Sequence, residues 1–155
     1  MRRSSRTSAG FGFALMFIAV AVTAEAQQAP PVVGLVKTLT GSAVVVRSGK
    51  QQPAAIGLPL NQGDTVKTGA LGRLGITLKD GTRLSLGANT EMRIDQFAFA
   101  PAQGRLGLAL NLLRGVAAYV SGRIAQLAPG TVKIETPTSV IGVRGTHLLI
   151  RAEQP

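Results

Sequence analysis

The sequence predicts an all-β protein that forms a single domain from many short strands. Apolar residues alternate with small or polar ones along most of the chain beyond its N-terminal segment, as the two faces of a half-buried strand require. Glycines interrupt these runs at intervals typical of short strands and turns. No helical stripe of useful length follows the N-terminal segment. Together these three observations favour an all-β domain over any helical class.

The first 26 residues have the pattern of a secretory signal peptide. Arg2, Arg3 and Arg6 form a cationic start, an apolar stretch centred on residues 11–22 follows, and Ala24-Glu25-Ala26 supplies the small side chains of a cleavage site. The apolar centre is shorter than the roughly 20 residues that a membrane-spanning helix needs. We therefore predict export to the periplasm and cleavage after Ala26. The alternative is an uncleaved chain that is tethered to the inner membrane.

Cleavage at this point leaves a chain of the size of one domain. We assign residues 1–26 to the signal peptide, 27–33 to a linker, 34–151 to the β-domain and 152–155 to a tail. No further stretch is apolar for long enough to span a bilayer, so we expect no stable membrane span after cleavage. Because the chain has no cysteine, packing rather than disulfide bonds must hold the domain together.

Strand patterns follow one another through this domain. Period-two alternation is found in residues 44–47, 74–78, 83–86, 92–95, 106–112, 116–120, 132–134 and 148–150. Asp80-Gly81 lies between two of these runs and predicts a tight hairpin turn, because glycine accepts the positive φ that such a turn needs. The segment 106–114 is rich enough in leucine for a buried helix, but its period of two and its flanking glycines favour a strand.

Two arrangements of these strands satisfy the same pattern. We favour a β-sandwich or jelly-roll-like domain, in which the alternating apolar residues meet in one core. A short β-solenoid is the alternative, because the units around Gly69, Gly81 and Gly87 resemble each other.

The chain is strongly basic, with 17 Lys and Arg against 7 Asp and Glu and a formal net charge of +10. Such a charge attracts phosphates, anionic lipids or acidic polymers. The basic residues are spread singly from Lys37 to Arg151 rather than gathered in a stripe. Their spacing therefore indicates a solvated surface and predicts no nucleic-acid partner.

No set of residues in the sequence predicts catalysis or a metal site. The single histidine, His147, has no second histidine or cysteine with which to bind a metal ion. No serine lies in a G-x-S-x-G motif. We predict a protein that is not an enzyme and that has no cofactor and no metal. A hydrolytic pair of carboxylates stays open as an alternative, drawn from Asp64, Asp80, Glu91, Asp95 and Glu135.

Several segments, taken together and in order, resemble a FecR-type domain. They are Gly63-Asp64-Thr-Val-Lys-Thr68-Gly69, Leu78-Lys-Asp80-Gly81-Thr-Arg-Leu-Ser-Leu86-Gly87, the leucine-rich strand and Ser-Gly ending of residues 110–122, and Ile134-Glu-Thr136-Pro137-Thr-Ser-Val-Ile-Gly142-Val-Arg144-Gly145-Thr146. The resemblance covers roughly residues 34–151 and implies an all-β extracytoplasmic domain. In the best-known members this domain belongs to a transmembrane anti-sigma regulator that senses an outer-membrane siderophore transporter. Too few residues precede the apolar stretch to form the cytoplasmic sigma-binding module, so we do not expect the anti-sigma role here.

The residues that carry this resemblance are expected to be structural rather than ligand-binding. They are Gly63, Asp64, Asp80, Gly81, Thr136, Pro137, Gly142, Arg144, Gly145 and Thr146. Pro137 restricts the backbone of Thr136, and the glycines permit tight turns. Arg144 is predicted to be a buried ion-pair partner of an acid such as Asp64 or Asp80.

The leading functional hypothesis is a non-catalytic, periplasmic, FecR-like module for binding or as a signalling scaffold. Its partner would be a protein or a component of the cell envelope. Two alternatives stay open: a cell-envelope hydrolase that acts on an acidic glycan, and a basic protein that coats anionic lipid or polymer.

Overall fold

A computed structural model describes residues 28–153 of the chain. The predicted signal peptide, Gln27 of the predicted linker and residues 154–155 of the predicted tail lie outside the described residues, and the domain boundaries stay predictions. The described part contains twelve strands: β1 (Val32–Thr40), β2 (Ala43–Arg47), β3 (Lys50–Pro53), β4 (Pro59–Asn61), β5 (Thr65–Thr68), β6 (Arg73–Leu78), β7 (Arg83–Leu86), β8 (Glu91–Ala100), β9 (Arg105–Val120), β10 (Val132–Thr136), β11 (Ser139–Gly142) and β12 (His147–Ala152). A 3-10 turn (Pro101–Gln103) and a short helix, α1 (Arg123–Leu127), are the helical elements of this part.

The strands form one sheet that is organised in two halves around the long strand β9. Half-sheet I has the order β4-β1-β6-β7-β9-β12 and uses the C-terminal part of β9. Half-sheet II has the order β3-β2-β5-β8-β9-β10-β11 and uses the N-terminal part of β9. Strand β9 is therefore the element that joins the two halves.

The transition within β9 lies at Gly115, which has a φ of 92°. A Cβ atom at this position would lie 2.6 Å from the Cα of Thr90. The close approach of these two backbone segments therefore requires glycine. Thr90 also fixes the next residue, because its hydroxyl accepts a hydrogen bond from the Val116 amide at 3.0 Å and donates one to the Val116 carbonyl at 3.2 Å. Where β9 passes from one half-sheet to the other, the Thr90 hydroxyl thus makes the hydrogen bonds that the backbone of a neighbouring strand would otherwise make.

Both halves turn their apolar side chains toward one core. In β6 the buried residues Leu74, Ile76 and Leu78 alternate with residues that face outward. The same alternation places Leu108, Leu110 and Leu112 of β9 in the core, which forms one cluster of residues from both half-sheets. The prediction of an all-β single domain is confirmed, and so is the strand in the leucine-rich segment.

The strand pairing excludes the solenoid alternative. The coils of a β-solenoid stack as parallel strands, whereas the pairings of the described strands are antiparallel apart from the parallel pair β9–β10. The predicted hairpin at Asp80-Gly81 joins β6 and β7, and Gly81 has a φ of 86°. The architecture is therefore a curled antiparallel sheet whose halves enclose the core.

Candidate functional site

Asp64, the first acidic residue of the family signature, is buried and bound by an arginine. Its side chain is 1% exposed, and Arg47 donates to it from Nε at 2.9 Å and from Nη2 at 2.7 Å. The carboxylate also accepts a hydrogen bond from the Asn61 amide at 2.8 Å. The hydrogen bond to Asp64 raises the pKa of the Arg47 guanidinium. Asp64 therefore links the β4–β5 turn, which contains Gly63, to the end of β2.

Asp80, the second signature acid, organises the hairpin that contains Gly81. It is buried, and its carboxylate accepts hydrogen bonds from the amide of Thr82 at 3.0 Å and the hydroxyl of Thr82 at 2.8 Å. It also accepts a bond from the Ile124 amide at 3.3 Å, at the start of α1. Asp80 thus joins the β6–β7 turn to the short helix that follows β9.

Most of the third signature segment, residues 136–146, lies on the surface, and Val143 within it is buried in the core. Thr136 donates a hydrogen bond to the Ser139 carbonyl at 3.2 Å across the β10–β11 turn that contains Pro137. The remaining signature residues, Gly142, Arg144, Gly145 and Thr146, are exposed. Ser121 contacts this loop, because its hydroxyl donates to the Gly145 carbonyl and its amide to the Thr146 carbonyl.

The prediction that Arg144 is buried in an ion pair is wrong. Arg144 is exposed, and none of the ion pairs among residues 28–153 includes it. Arg47 occupies the place next to Asp64 that we had expected for Arg144, and backbone amides and Thr82 satisfy Asp80. This pairing could not be predicted from the sequence, because Arg47 lies 17 residues before Asp64, at the end of β2.

The structure does not gather the five acids of the hydrolase alternative into one cleft. Glu91 forms ion pairs with Lys67 at 3.0 Å and Arg114 at 3.4 Å, and Asp95 pairs with Arg93. Glu135 faces outward on β10, and Asp64 and Asp80 are bound as described above. In residues 28–153, no group of three or more His, Cys, Asp or Glu side chains is arranged to hold a metal ion.

The outer face of half-sheet I gathers basic residues that are far apart in sequence. Lys37 of β1, Arg73 of β6, Arg83 of β7 and Arg151 of β12 are all exposed there. Lys37 lies at an irregularity between β1 and β6, where one residue of β1 has no partner, and such bulges re-aim side chains. We call the outward residues of β1, β6, β7, the C-terminal part of β9 and β12 the basic face.

Small side chains form the middle of the basic face. Thr38 lies opposite Gly75, Gly75 opposite Ser85, Ser85 opposite Ala118, and Ala118 opposite Leu149, so one row crosses five strands. Neighbouring strands are about 4.8 Å apart, which gives this row a length of about 19 Å. Arg73 lies on one side of the row and Arg83 on the other, each two residues along its strand.

Three grooves follow this face and share residues with each other. The first, of about 440 Å³, includes Arg73, the middle row and Leu149. The second, of about 160 Å³, shares Thr38, Gly75 and Ser85 with the first and adds Lys37 and Arg83. The third, of about 300 Å³, shares Lys37 and Thr77 with the second and ends near Lys79. We call this connected depression the track.

The strands of the basic face contain no acid, and Glu153 follows directly after β12, two residues beyond Arg151. None of the strands of half-sheet I contains Asp or Glu, and this holds for the whole length of β9. None of the residues that line the track is acidic. The outer face of half-sheet II differs, because its Lys67, Glu91, Arg93, Asp95 and Arg114 pair with one another. The basic face is therefore a surface that attracts anions.

Sequence reasoning missed this face. Along the chain the basic residues from Lys37 to Arg151 are scattered single charges, which indicate a solvated surface. One feature of the sequence does indicate this face. Arg73 and Arg83 both stand at outward-facing positions of strands in which apolar and polar residues alternate. Only the strand order β1-β6-β7-β9-β12 shows that these places adjoin.

Comparisons with known proteins point to one family. The family model described as FecR protein matches residues 64–155, which confirms the resemblance seen in the sequence. Among solved structures, a chain described as a cell surface anchoring domain is 31% identical, with a TM-score of 0.38; the match covers 39% of this chain and 82% of that chain. A comparison with curated proteins finds no match.

Proposed function

This chain belongs to the FecR protein family, a regulatory and signalling family, and from that premise we propose that it is a non-catalytic binding module of the cell envelope. In this proposal the module engages a protein or envelope partner through the basic face and works in the periplasm after export. Domains of this family are typically periplasmic, and the sequence of residues 1–26 has the pattern of an export signal. Within the described residues, no helix has the length and apolar character needed to cross a membrane.

The single observation that carries the proposal is the composition of the basic face. Four exposed cationic side chains, Lys37, Arg73, Arg83 and Arg151, share a face whose strands contain no acid. Like charges that share one solvated face repel each other, and this repulsion opposes the compact state without any gain for folding. A partner that supplies negative charge would remove this repulsion.

The arrangement of the acids favours binding over hydrolysis. A glycoside hydrolase needs two carboxyl groups on either side of a substrate cleft. Here Asp64, Asp80, Glu91 and Asp95 are engaged in hydrogen bonds or ion pairs, and the track contains no carboxylate.

Co-sedimentation of the purified mature chain with isolated envelope fractions tests the proposal. We expect the wild-type chain to sediment with sacculi or outer-membrane material. The double variant Arg73→Gln/Arg83→Gln should bind about tenfold more weakly, as the loss of two exposed ionic contacts predicts. The matched control is Arg105→Gln/Lys133→Gln, which removes the same charge from exposed positions on half-sheet II.

Each alternative predicts a different outcome of the same experiment. A hydrolase would release dye from labelled sacculi and lose this activity when Asp64, Asp80, Glu91, Asp95 or Glu135 is neutralised. A protein that merely coats anionic material would lose affinity equally in the face variant and in the control, because only net charge would matter. Either result would overturn the proposed function.

A further inference from the structure

The track on the basic face has the form of a site for one extended chain. Its three grooves are joined through shared residues, and together they lead from Leu149 on β12 to Lys79 beyond the end of β6. A compact ligand would need one enclosed cavity, whereas this depression is long and open. The floor of its middle part includes Ser85 and Ala118, whose small side chains leave room for a ligand to lie on the sheet, while the Thr38 hydroxyl lies over Gly75.

The chemistry along the track combines positive charge with hydroxyl groups. Arg73 and Arg83 lie on opposite sides of the middle row, and a guanidinium group can bind a carboxylate through two parallel hydrogen bonds. Thr38, Thr77 and Ser85 add hydroxyl groups that can donate and accept hydrogen bonds. Such a lining suits a ligand that carries both carboxylates and hydroxyl groups along its length.

We infer that the track binds a linear, carboxylate-bearing polysaccharide of the polyuronate kind, which lies across the strands of half-sheet I. This inference rests on the proposed function and names the class of its envelope partner. The carboxylates meet the arginines on both sides of the row, and the sugar hydroxyl groups meet the threonine and serine side chains. Because no aromatic residue lines the track, stacking cannot hold a sugar ring, and charge must provide most of the affinity.

Two other polyanions fit the same charge less well. The exposed large apolar side chains along the track are Leu35 and Leu149 near its two ends, with exposed fractions of 36% and 73%. They form no continuous patch with which to enter a lipid bilayer. An acidic peptide strand would gain most of its affinity from backbone hydrogen bonds at a sheet edge. The track mainly crosses β6, β7 and β9, which are paired on both sides within half-sheet I, and meets an edge strand at its end on β12.

The test measures binding of fluorescent oligogalacturonate to the mature chain by polarisation. Its matched ligand control is the methyl ester of the same oligosaccharide, which keeps the sugar backbone and removes the negative charge. We expect the acid form to bind, with an affinity that falls as salt rises, and the ester to show no binding. Polyglutamate and phosphatidylglycerol vesicles are the arms for the peptide and the membrane.

Variants locate the binding on the track. Arg73→Gln/Arg83→Gln should weaken oligogalacturonate binding about tenfold, and Arg105→Gln/Lys133→Gln should change it less than about twofold. Ser85→Tyr should block the floor of the track without any change of charge. Because Ser85 and Arg83 are exposed, these variants should fold, and thermal unfolding of each one verifies this.

Several outcomes would overturn the inference. They are binding of the methyl ester at equal strength, an equal loss in the control pair, or tighter track-dependent binding of polyglutamate or of vesicles. If face-dependent sedimentation with envelope material persists while oligogalacturonate does not bind, the ligand class is wrong and the proposed function stands. If both are lacking, both fail.

Discussion

Arg47 and Asp64 form a two-point ion pair that joins β2 to the β4–β5 turn. Arg47 donates from Nε to Oδ1 at 2.9 Å and from Nη2 to Oδ2 at 2.7 Å. The Asp64 side chain is 1% exposed and that of Arg47 is 32% exposed, so the pair has a buried anion and a partly solvated cation. The same Nη2 also donates to the Pro59 carbonyl at 2.8 Å. Arg47 therefore fixes both ends of the turn segment.

Removing the cation from this pair should destabilise the domain strongly. Arg47→Ala leaves the Asp64 carboxylate buried without its counter-ion, which costs about 3 kcal/mol of unfolding free energy. Urea unfolding measures this loss, and Arg105→Ala, at an exposed position, serves as the control with less than about 0.5 kcal/mol. In a double-mutant cycle with Asp64→Ala the two losses should not add; additive losses would contradict the pairing.

Arg144→Ala should leave stability unchanged. The buried ion pair that the sequence predicts would imply a loss of stability, but Arg144 is exposed and forms no ion pair with the described residues. We expect a change of less than about 0.5 kcal/mol, as for surface positions generally. Thermal unfolding of the mature chain verifies this, and a clearly lowered midpoint would restore a structural role for this arginine.

Gly122→Ala should destabilise the contact between Asp80 and the start of α1. A Cβ atom at Gly122 would lie 2.7 Å from the Asp80 carbonyl oxygen and would also clash with the Thr82 amide nitrogen. Overpacking of this kind costs about 2 kcal/mol. Gly142→Ala is the matched control, because nothing lies within 4 Å of a Cβ atom there. Equal unfolding midpoints for the two variants would argue against the close approach at Gly122.

The domain should become less stable at alkaline pH, because the phenol of Tyr119 is buried and loses its proton less readily than in the unfolded chain. Burial raises the pKa of this phenol in the folded protein. As pH rises, the unfolded chain therefore loses this proton first, at the ordinary tyrosine pKa of about 10. The stabilising contribution is complete below the unfolded pKa and is lost as pH rises through the folded pKa. Because Tyr119 is the single tyrosine of the chain, absorbance of the phenolate reports its titration directly.

Tyr119→Phe provides the control for this pH dependence. We expect the variant to lose less stability than the wild type between about pH 9 and 11, as measured by urea unfolding. Lysine titration affects both chains equally and cancels in the difference. A phenolate midpoint at the ordinary value in the folded protein would contradict a raised pKa.

Much of the fold could be predicted from local patterns. Leu74, Ile76 and Leu78 alternate with outward residues, and the pattern alone identified their strand and its buried side. Asp80-Gly81 identified the hairpin, because few dipeptides accept its backbone conformation. The order of motifs also identified the family, which the match over residues 64–155 confirms.

Contacts between distant strands could not be predicted in this way. The sequence predicts Arg144 as a partner of Asp64, whereas Arg47 binds it, because the sequence does not specify which strand end meets a buried carboxylate. The transition of β9 between the two half-sheets at Gly115 depends on Thr90, which lies 25 residues earlier in the segment before β8. Such relations arise from the packing of the two half-sheets and leave no local pattern.

The all-β class, the core-facing residues, the turn at Asp80-Gly81 and the excess of positive charge are all evident from the amino-acid sequence, because each depends on composition or on residues that are near each other in the chain. The place of that charge on the molecule follows only from the folded sheet. Arg73, Arg83 and Arg151 lie on one face because β7 and β12 flank β9 in half-sheet I and β6 adjoins β7. Electrostatic potential sums over space rather than along the sequence, so the basic face exists only in the folded sheet.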